Sequence, residues 1–158
     1  MSLRLEGRRA LVTGGSRSIG RGIALGLGRE GADVVVNFKT DRDAAEEVVG
    51  SLKELGRRAT AVQGSTVSSE DVNRLVTEAD DFLGGIDVLV NNAGVLKRTP
   101  FLEISQEEWD WTLETNLRGY FFVGQAVARR MIDREIEGAF INVSSAGQAV
   151  AAPNLTHY

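Results

Sequence analysis

Five short runs, Ala10–Thr13, Val34–Asn37, Ala59–Val62, Val88–Asn91 and Ala139–Val143, concentrate apolar and β-branched residues without clean alternation. A strand with one wet face alternates with period two, so this continuity predicts strands buried on both faces of a parallel sheet. Between them, Gly20–Glu30, Arg42–Leu55, Ser69–Leu83 and Gln106–Asp133 carry apolar stripes at helical spacing. Thr40-Asp41-Arg42-Asp43 and Ser68-Ser69-Glu70-Asp71 place acceptors at helix starts, and Ser105 with Glu108 forms a capping-box pattern. Gly31, Gly56 and Gly84-Gly85 close three helices with left-handed caps. Strands alternating with helices predict right-handed crossovers and an α/β doubly wound parallel sheet with strand order 3-2-1-4-5. Residues 1–158 then read as one domain. The fifth strand is apolar enough to need cover on both sides. With no crossover after it, it becomes a sheet edge, and the domain reads as incomplete at its C-terminus.

Composition narrows the chemistry. The chain has 18 Lys/Arg against 22 Asp/Glu, a net charge of −4, with both signs interspersed. No basic stripe is available to displace counterions, which argues against a nucleic-acid partner. There is no cysteine and only one histidine, so neither a thiolate nucleophile, a disulfide nor a Cys- or His-rich metal site is expected. No run approaches the ~18 apolar residues of a membrane span, and a cytoplasmic location without membrane contact is expected.

Candidate chemistry begins where the first strand meets the first helix. Thr13-Gly14-Gly15-Ser16-Arg17-Ser18-Ile19-Gly20 turns tightly from strand to helix, and a helix N-terminus offers unpaired N–H groups and a positive dipole end to a pyrophosphate. Gly14, Ser16, Arg17, Ser18, Ile19 and Gly20 are therefore expected to bind a nucleotide. A carboxylate about 20 residues further on would clamp the ribose 2′-hydroxyl of NAD. The second strand instead ends Asn37-Phe38-Lys39-Thr40. With Arg17 in the loop, two cations and no acid fit a 2′-phosphate, so NADP(H) is expected to be preferred and NAD(H) tolerated.

The phosphate loop, Asn91-Asn92-Ala93-Gly94, Asn116, Ser144-Ser145 and Tyr158 together resemble the first part of the short-chain dehydrogenase/reductase family. The resemblance implies a Rossmann domain that transfers a hydride between a nicotinamide and a secondary alcohol or carbonyl. It implies that Asn91 steadies its strand, while Asn92, Ala93 and Gly94 pass under the cofactor. Ser18 stands where the family usually has glycine, and weakened binding is expected. Ser65, beside Thr66, stands where the family usually places an aspartate near the adenine. Ser145, thirteen residues before Tyr158, matches the family's serine better than Ser144 does. By resemblance, Tyr158 exchanges a proton with the substrate oxygen, Ser145 holds that oxygen and Asn116 holds a water in the proton relay.

In the family a lysine follows the tyrosine in Tyr-x-x-x-Lys, lowers its pKa and grips the nicotinamide ribose. A free tyrosine titrates near 10, so a chain ending at Tyr158 is expected to be inactive or nearly so. Val34–Lys39, Glu135–Ser145 and His157-Tyr158 resemble the glucose 1-dehydrogenase branch, which implies a sugar substrate; a 3-ketoacyl-thioester reductase is the alternative. A non-catalytic nucleotide-binding fragment is the reading of another class. His157 is expected to be half-exposed at a helix start. Trp109 and Trp111 fall on different helix faces and cannot share one core. The matching family helix packs against another subunit, which implies a homo-oligomer, dimer or tetramer.

Overall fold

The computed structural model describes residues 3–158. Its five strands are β1 (Arg9–Val12), β2 (Asp33–Phe38), β3 (Ala59–Gln63), β4 (Val88–Asn91) and β5 (Ala139–Asn142). All pair in parallel, in the order β3-β2-β1-β4-β5, as the alternation of strands and helices predicts.

Successive side chains of a strand point to opposite faces, and the core divides accordingly. Ala10, Val12, Val34, Val36 and Phe38 pack against α1 (Ser18–Arg29) and α2 (Arg42–Glu54). Leu11, Val35 and Leu89 pack on the other face, against α3 (Ser69–Leu83) and α5 (Gly119–Asp133). The inner strands are thus buried on both sides, which explains why they lack alternation in sequence. β5 differs. Among the described residues it pairs only with β4 and lies at the sheet edge, and its Phe140 and Ile141 are about half exposed.

The helix ends follow their sequence signals with one change. Asp41 accepts a hydrogen bond from Ala44 N at 3.0 Å, and Ser68 accepts from Asp71 N at 3.3 Å. Gly31, Gly56 and Gly84 follow α1, α2 and α3 with positive φ. Ser105 accepts from Glu108 N at 3.2 Å, but the other half of the expected capping box is absent. The Glu108 carboxylate turns instead to Lys97 and Thr99. The neighbouring Glu107 carboxyl is held below the usual range by its own backbone N–H first and by the Ser105 hydroxyl second.

The long helix expected over Gln106–Asp133 is interrupted. α4 (Gln106–Leu113) passes into a π-helical turn, Glu114–Arg118, before α5 begins. Asn116 lies in that turn, and both ends of its amide bond the backbone of Val95, at 2.8 Å each. A wide turn lets a side chain face the loop after β4 without breaking the helix, and such turns cluster at functional sites.

Candidate active site

β1 lies between β2 and β4, so the chain leaves it in one direction and returns on the other side. In an open parallel sheet this switch point opens a crevice at the carboxyl ends of the strands, where ligands bind. A groove of about 540 Å³ lies there. All fourteen residues expected at the nucleotide line it: Gly14, Ser16, Arg17, Ser18, Ile19 and Gly20 after β1, Asn37, Phe38 and Lys39 at the end of β2, Ser65 and Thr66 after β3, and Asn92, Ala93 and Gly94 after β4.

The phosphate loop is bolted to both neighbouring strands. Gly14 N donates to Asn37 Oδ1 at 3.3 Å, and Gly15 N donates to Asn37 O at 2.9 Å. From β4, Asn92 Nδ2 donates to Thr13 O and Gly14 O at 3.0 and 3.1 Å. Thr13 Oγ1 in turn accepts from Asn92 N at 2.9 Å and Ala93 N at 3.1 Å. Asn37 is wholly buried, and its amide nitrogen also faces the carbonyls of Val62 and Gly64. Its side chain therefore shapes the loop from behind.

The start of α1 faces this groove in a state suited to an anion. Among the described residues no side chain caps it, and its first turn holds no acid. By contrast, α2, α3 and α4 are capped by Asp41, Ser68 and Ser105. Unpaired N–H groups and the dipole at such an end favour phosphate. Ser18 sits at φ 47°, a left-handed conformation that a side chain disfavours by roughly 1–2 kcal/mol. Ser18→Gly is expected to raise the midpoint of thermal unfolding by about 2–4 °C, which is about 1 kcal/mol in a chain of this size. An unchanged or lower midpoint would show that the backbone here is not strained.

At the far end of the groove, Arg42 lies over the Phe38 ring at 5.3 Å, and Lys39 is exposed. The structure adds an acid that the strand-end reading missed. Asp41 lines the wall, with its carboxylate engaged in capping α2. Ser65 N donates to Asp71 Oδ2 at 2.9 Å; that bond first, and the Arg74 guanidinium second, hold the Asp71 carboxyl below the usual range. Trp111 and Thr115 complete the wall. Their spacing of four places them on one helix face, the one signal that could have singled them out.

A second cavity, of about 400 Å³, shares Ile19, Asn92, Gly94 and Val95 with the first. It brings Asn116, Ser145 and Tyr158 together, although they come from a π turn, the loop after β5 and the segment beyond it. Ser145 Oγ accepts from Gly147 N at 3.1 Å, and Ser144 lines the same cavity. Tyr158 is 43% exposed. Tyr120 joins the group unforeseen. Its hydroxyl donates to Val143 O at 3.2 Å, and burial first, then the neighbouring Tyr158, raise its pKa.

His157 departs from expectation. It is buried, not half-exposed, and its Nε2 lies 3.1 Å from Glu108 Oε1. The imidazole is buried beside the Glu108 carboxylate, forty-nine positions away in sequence, a juxtaposition that a local reading cannot see. Trp109 and Trp111 both lie partly exposed. Among the described residues, no group of three His, Asp or Glu is placed to hold a metal, and no helix is long and apolar enough to cross a membrane.

The family profile described as short chain dehydrogenase matches residues 8–158. The chain belongs to that family. The 3-oxoacyl-acyl-carrier-protein reductase FabG of Staphylococcus epidermidis is 40% identical over 149 residues, covering 94% of this chain and 61% of the relative. Gluconate 5-dehydrogenase of Gluconobacter oxydans is 38% identical over 154 residues, covering 98% of this chain and 59% of the relative. A short chain dehydrogenase from Burkholderia cenocepacia, solved in complex with NADP, superposes with a TM-score of 0.89 at 34% identity. That match covers 96% of this chain and 61% of the solved one. This short-chain dehydrogenase sequence thus spans about 60% of the length of the relatives it matches.

Proposed function

We propose that this short-chain dehydrogenase binds a nicotinamide dinucleotide in the larger groove and interconverts a secondary alcohol and a carbonyl in the adjoining cavity. The observation that carries this reading is the junction of the two spaces, where Ile19, Asn92, Gly94 and Val95 line both. A dinucleotide along the first would end beside Asn116, Ser145 and Tyr158.

The residues fit such a cofactor. The open start of α1 and the N–H groups of the Gly14–Gly20 loop suit the pyrophosphate. Gly20 allows the close approach that this needs, because a Cβ there would stand 2.2 Å from Gly14 O. When bound, the nicotinamide supplies or accepts the hydride. The protein's own part is to orient the substrate and move one proton. Tyr158 carries that proton on its hydroxyl, and Ser145 Oγ holds the substrate oxygen by a hydrogen bond. Asn116 spends both ends of its amide on the Val95 backbone, and so steadies the loop after β4 where it borders the cavity.

Arg17 and Lys39, both exposed along the groove, favour NADP(H) over NAD(H). Charge-assisted hydrogen bonds contribute about 1.5–3 kcal/mol. Arg17→Ala and Lys39→Ala are each expected to weaken NADPH binding about tenfold or more while leaving NADH binding within about twofold. Equal losses for both cofactors would contradict this assignment.

The substrate reading favoured is a sugar or related secondary alcohol, supported by the likeness to gluconate 5-dehydrogenase. The FabG relatives favour a 3-oxoacyl thioester as a second reading. A panel of aldoses, polyols and 3-oxoacyl thioesters separates the two, and turnover confined to thioesters would reverse their order. The exposed Leu117, Phe121 and Ile132 along the π turn and α5 support a homo-oligomer; a monomer in sedimentation at high concentration would rule it out.

A further inference from the structure

Outside the site described above, Thr99, Glu108 and His157 are buried polar residues gathered around one carboxylate. Glu108, on the first turns of α4, is buried and meets donors from two directions. Lys97 Nζ donates to Oε2 at 2.6 Å, and Thr99 Oγ1 donates to Oε1. His157, also buried, brings Nε2 to 3.1 Å from the same Oε1, off the line of a hydrogen bond.

The loop that carries Lys97 and Thr99 also grips the backbone leading to His157. Thr99 N donates to Asn154 O at 3.0 Å, and Arg98 Nη1 donates to Pro153 O at 3.1 Å. Asn154 itself holds a left-handed φ of 62°, so the chain turns sharply within this grip. Tyr158 follows at once, its N–H bonded to Leu155 O at 3.1 Å. The tyrosine ring thus extends from a segment fixed at 153, 154 and 157, while half of the ring remains in the open cavity.

The geometry points to Glu108 as a positioning residue for Tyr158, acting through Thr99 and His157 and touching neither substrate nor cofactor. A buried carboxylate is unfavourable unless several donors meet it, and a fully met one fixes the segments that supply those donors. Here Lys97 and Thr99, in the loop after β4, supply the donors to Glu108 at the start of α4, and the same loop holds the chain before Tyr158 at Pro153 and Asn154. The inference rests on the proposed catalytic part of Tyr158, but its test does not require turnover.

The chain has one histidine and two tyrosines, so ring resonances in isotope-labelled protein are assignable with Tyr120→Phe and Tyr158→Phe. Glu108→Gln, which removes the charge at nearly constant shape, is expected to shift the His157 and Tyr158 ring resonances. Amide resonances of β1, β2 and the phosphate loop are expected to stay at their parent positions, and the NADPH affinity to remain within about twofold, because these parts lie outside the knot. Glu108→Asp retains the buried charge and Lys97 but draws back from His157. It is expected to move Tyr158 in the same direction, and it decides the matter should Glu108→Gln fail to fold.

In turnover, either variant is expected to lower kcat about tenfold to a hundredfold with the KM for NADPH unchanged, the effect of a misplaced reacting group. Tyr158 resonances that superimpose on those of the parent in a folded Glu108 variant would overturn the inference while leaving the catalytic assignment intact. Conversely, full hydride transfer by Tyr158→Phe would sink the catalytic assignment, whereas the coupling of Glu108 to the Tyr158 ring would stand.

Discussion

Tyr158→Phe is expected to slow hydride transfer by about 10²–10⁴-fold in any preparation of this protein that turns over a carbonyl substrate with NADPH. The substitution removes one hydroxyl and leaves the ring. Tyr158 is 43% exposed, in the cavity it shares with Ser145 and Asn116. Folding and NADPH affinity should therefore remain at parent levels. The loss is assigned to proton transfer because Tyr158 is the group with a titratable hydroxyl that shares the cavity with Ser145 and Asn116, Tyr120 excepted. Tyr120 is a poor substitute. Its hydroxyl is committed to Val143 O, and burial raises its pKa further from neutrality. Stopped-flow measurement of NADPH oxidation under single turnover separates this effect from product release. A Tyr158→Phe rate within about threefold of the parent would remove the tyrosine from the mechanism.

The second large effect is expected at Gly20. A Cβ at this position would meet Gly14 O at 2.2 Å and Asn92 Nδ2 at 2.5 Å. Neither neighbour is free to retreat. Asn92 Nδ2 is bonded to Thr13 O and Gly14 O, and Gly14 N is bonded to Asn37 Oδ1. Gly20→Ala therefore has to displace α1 from the loop or pull the loop off β4. Either movement disturbs the N–H groups proposed to meet the pyrophosphate. A loss of stability of about 1–3 kcal/mol is expected, as for other overpacked sites, together with loss of NADPH binding. Gly22, where a Cβ meets nothing within 4 Å, is the control. At that position alanine is expected to be neutral or stabilising, because it is the better helix former. Equal behaviour of the two variants in thermal unfolding and NADPH titration would show that the contact at Gly20 has no consequence.

Much of this architecture is legible in the chain because the forces that set it are local or periodic. Uninterrupted apolar runs such as Val34-Val35-Val36 declare a strand buried on both faces, and Asp41, Ser68 and Ser105 declare helix starts. The residues lining the groove at the strand ends were legible for the same reason, since they sit where the periodicity ends each strand. What stayed hidden depends on long-range pairing. The π turn arises from Asn116 clasping Val95, twenty-one positions away, so the helical stripe of Gln106–Asp133 gives no sign of it. Glu108 looks like the acid of a capping box, yet its partners come from residues 97, 99 and 157. His157 looks half-exposed at a helix start for the same reason. Asp41 was read only as a cap, and its place in the groove wall follows from the turn after β2.

The central claim is that the crevice at the β1–β4 switch point holds a nicotinamide dinucleotide. The most direct measurement is calorimetric titration of the folded protein with NADPH. Saturable binding at one molecule per chain, with lower affinity for NADH, is the predicted result. Absence of heat and of any competition up to millimolar NADPH and NADH, from protein whose unfolding transition shows it folded, would contradict it.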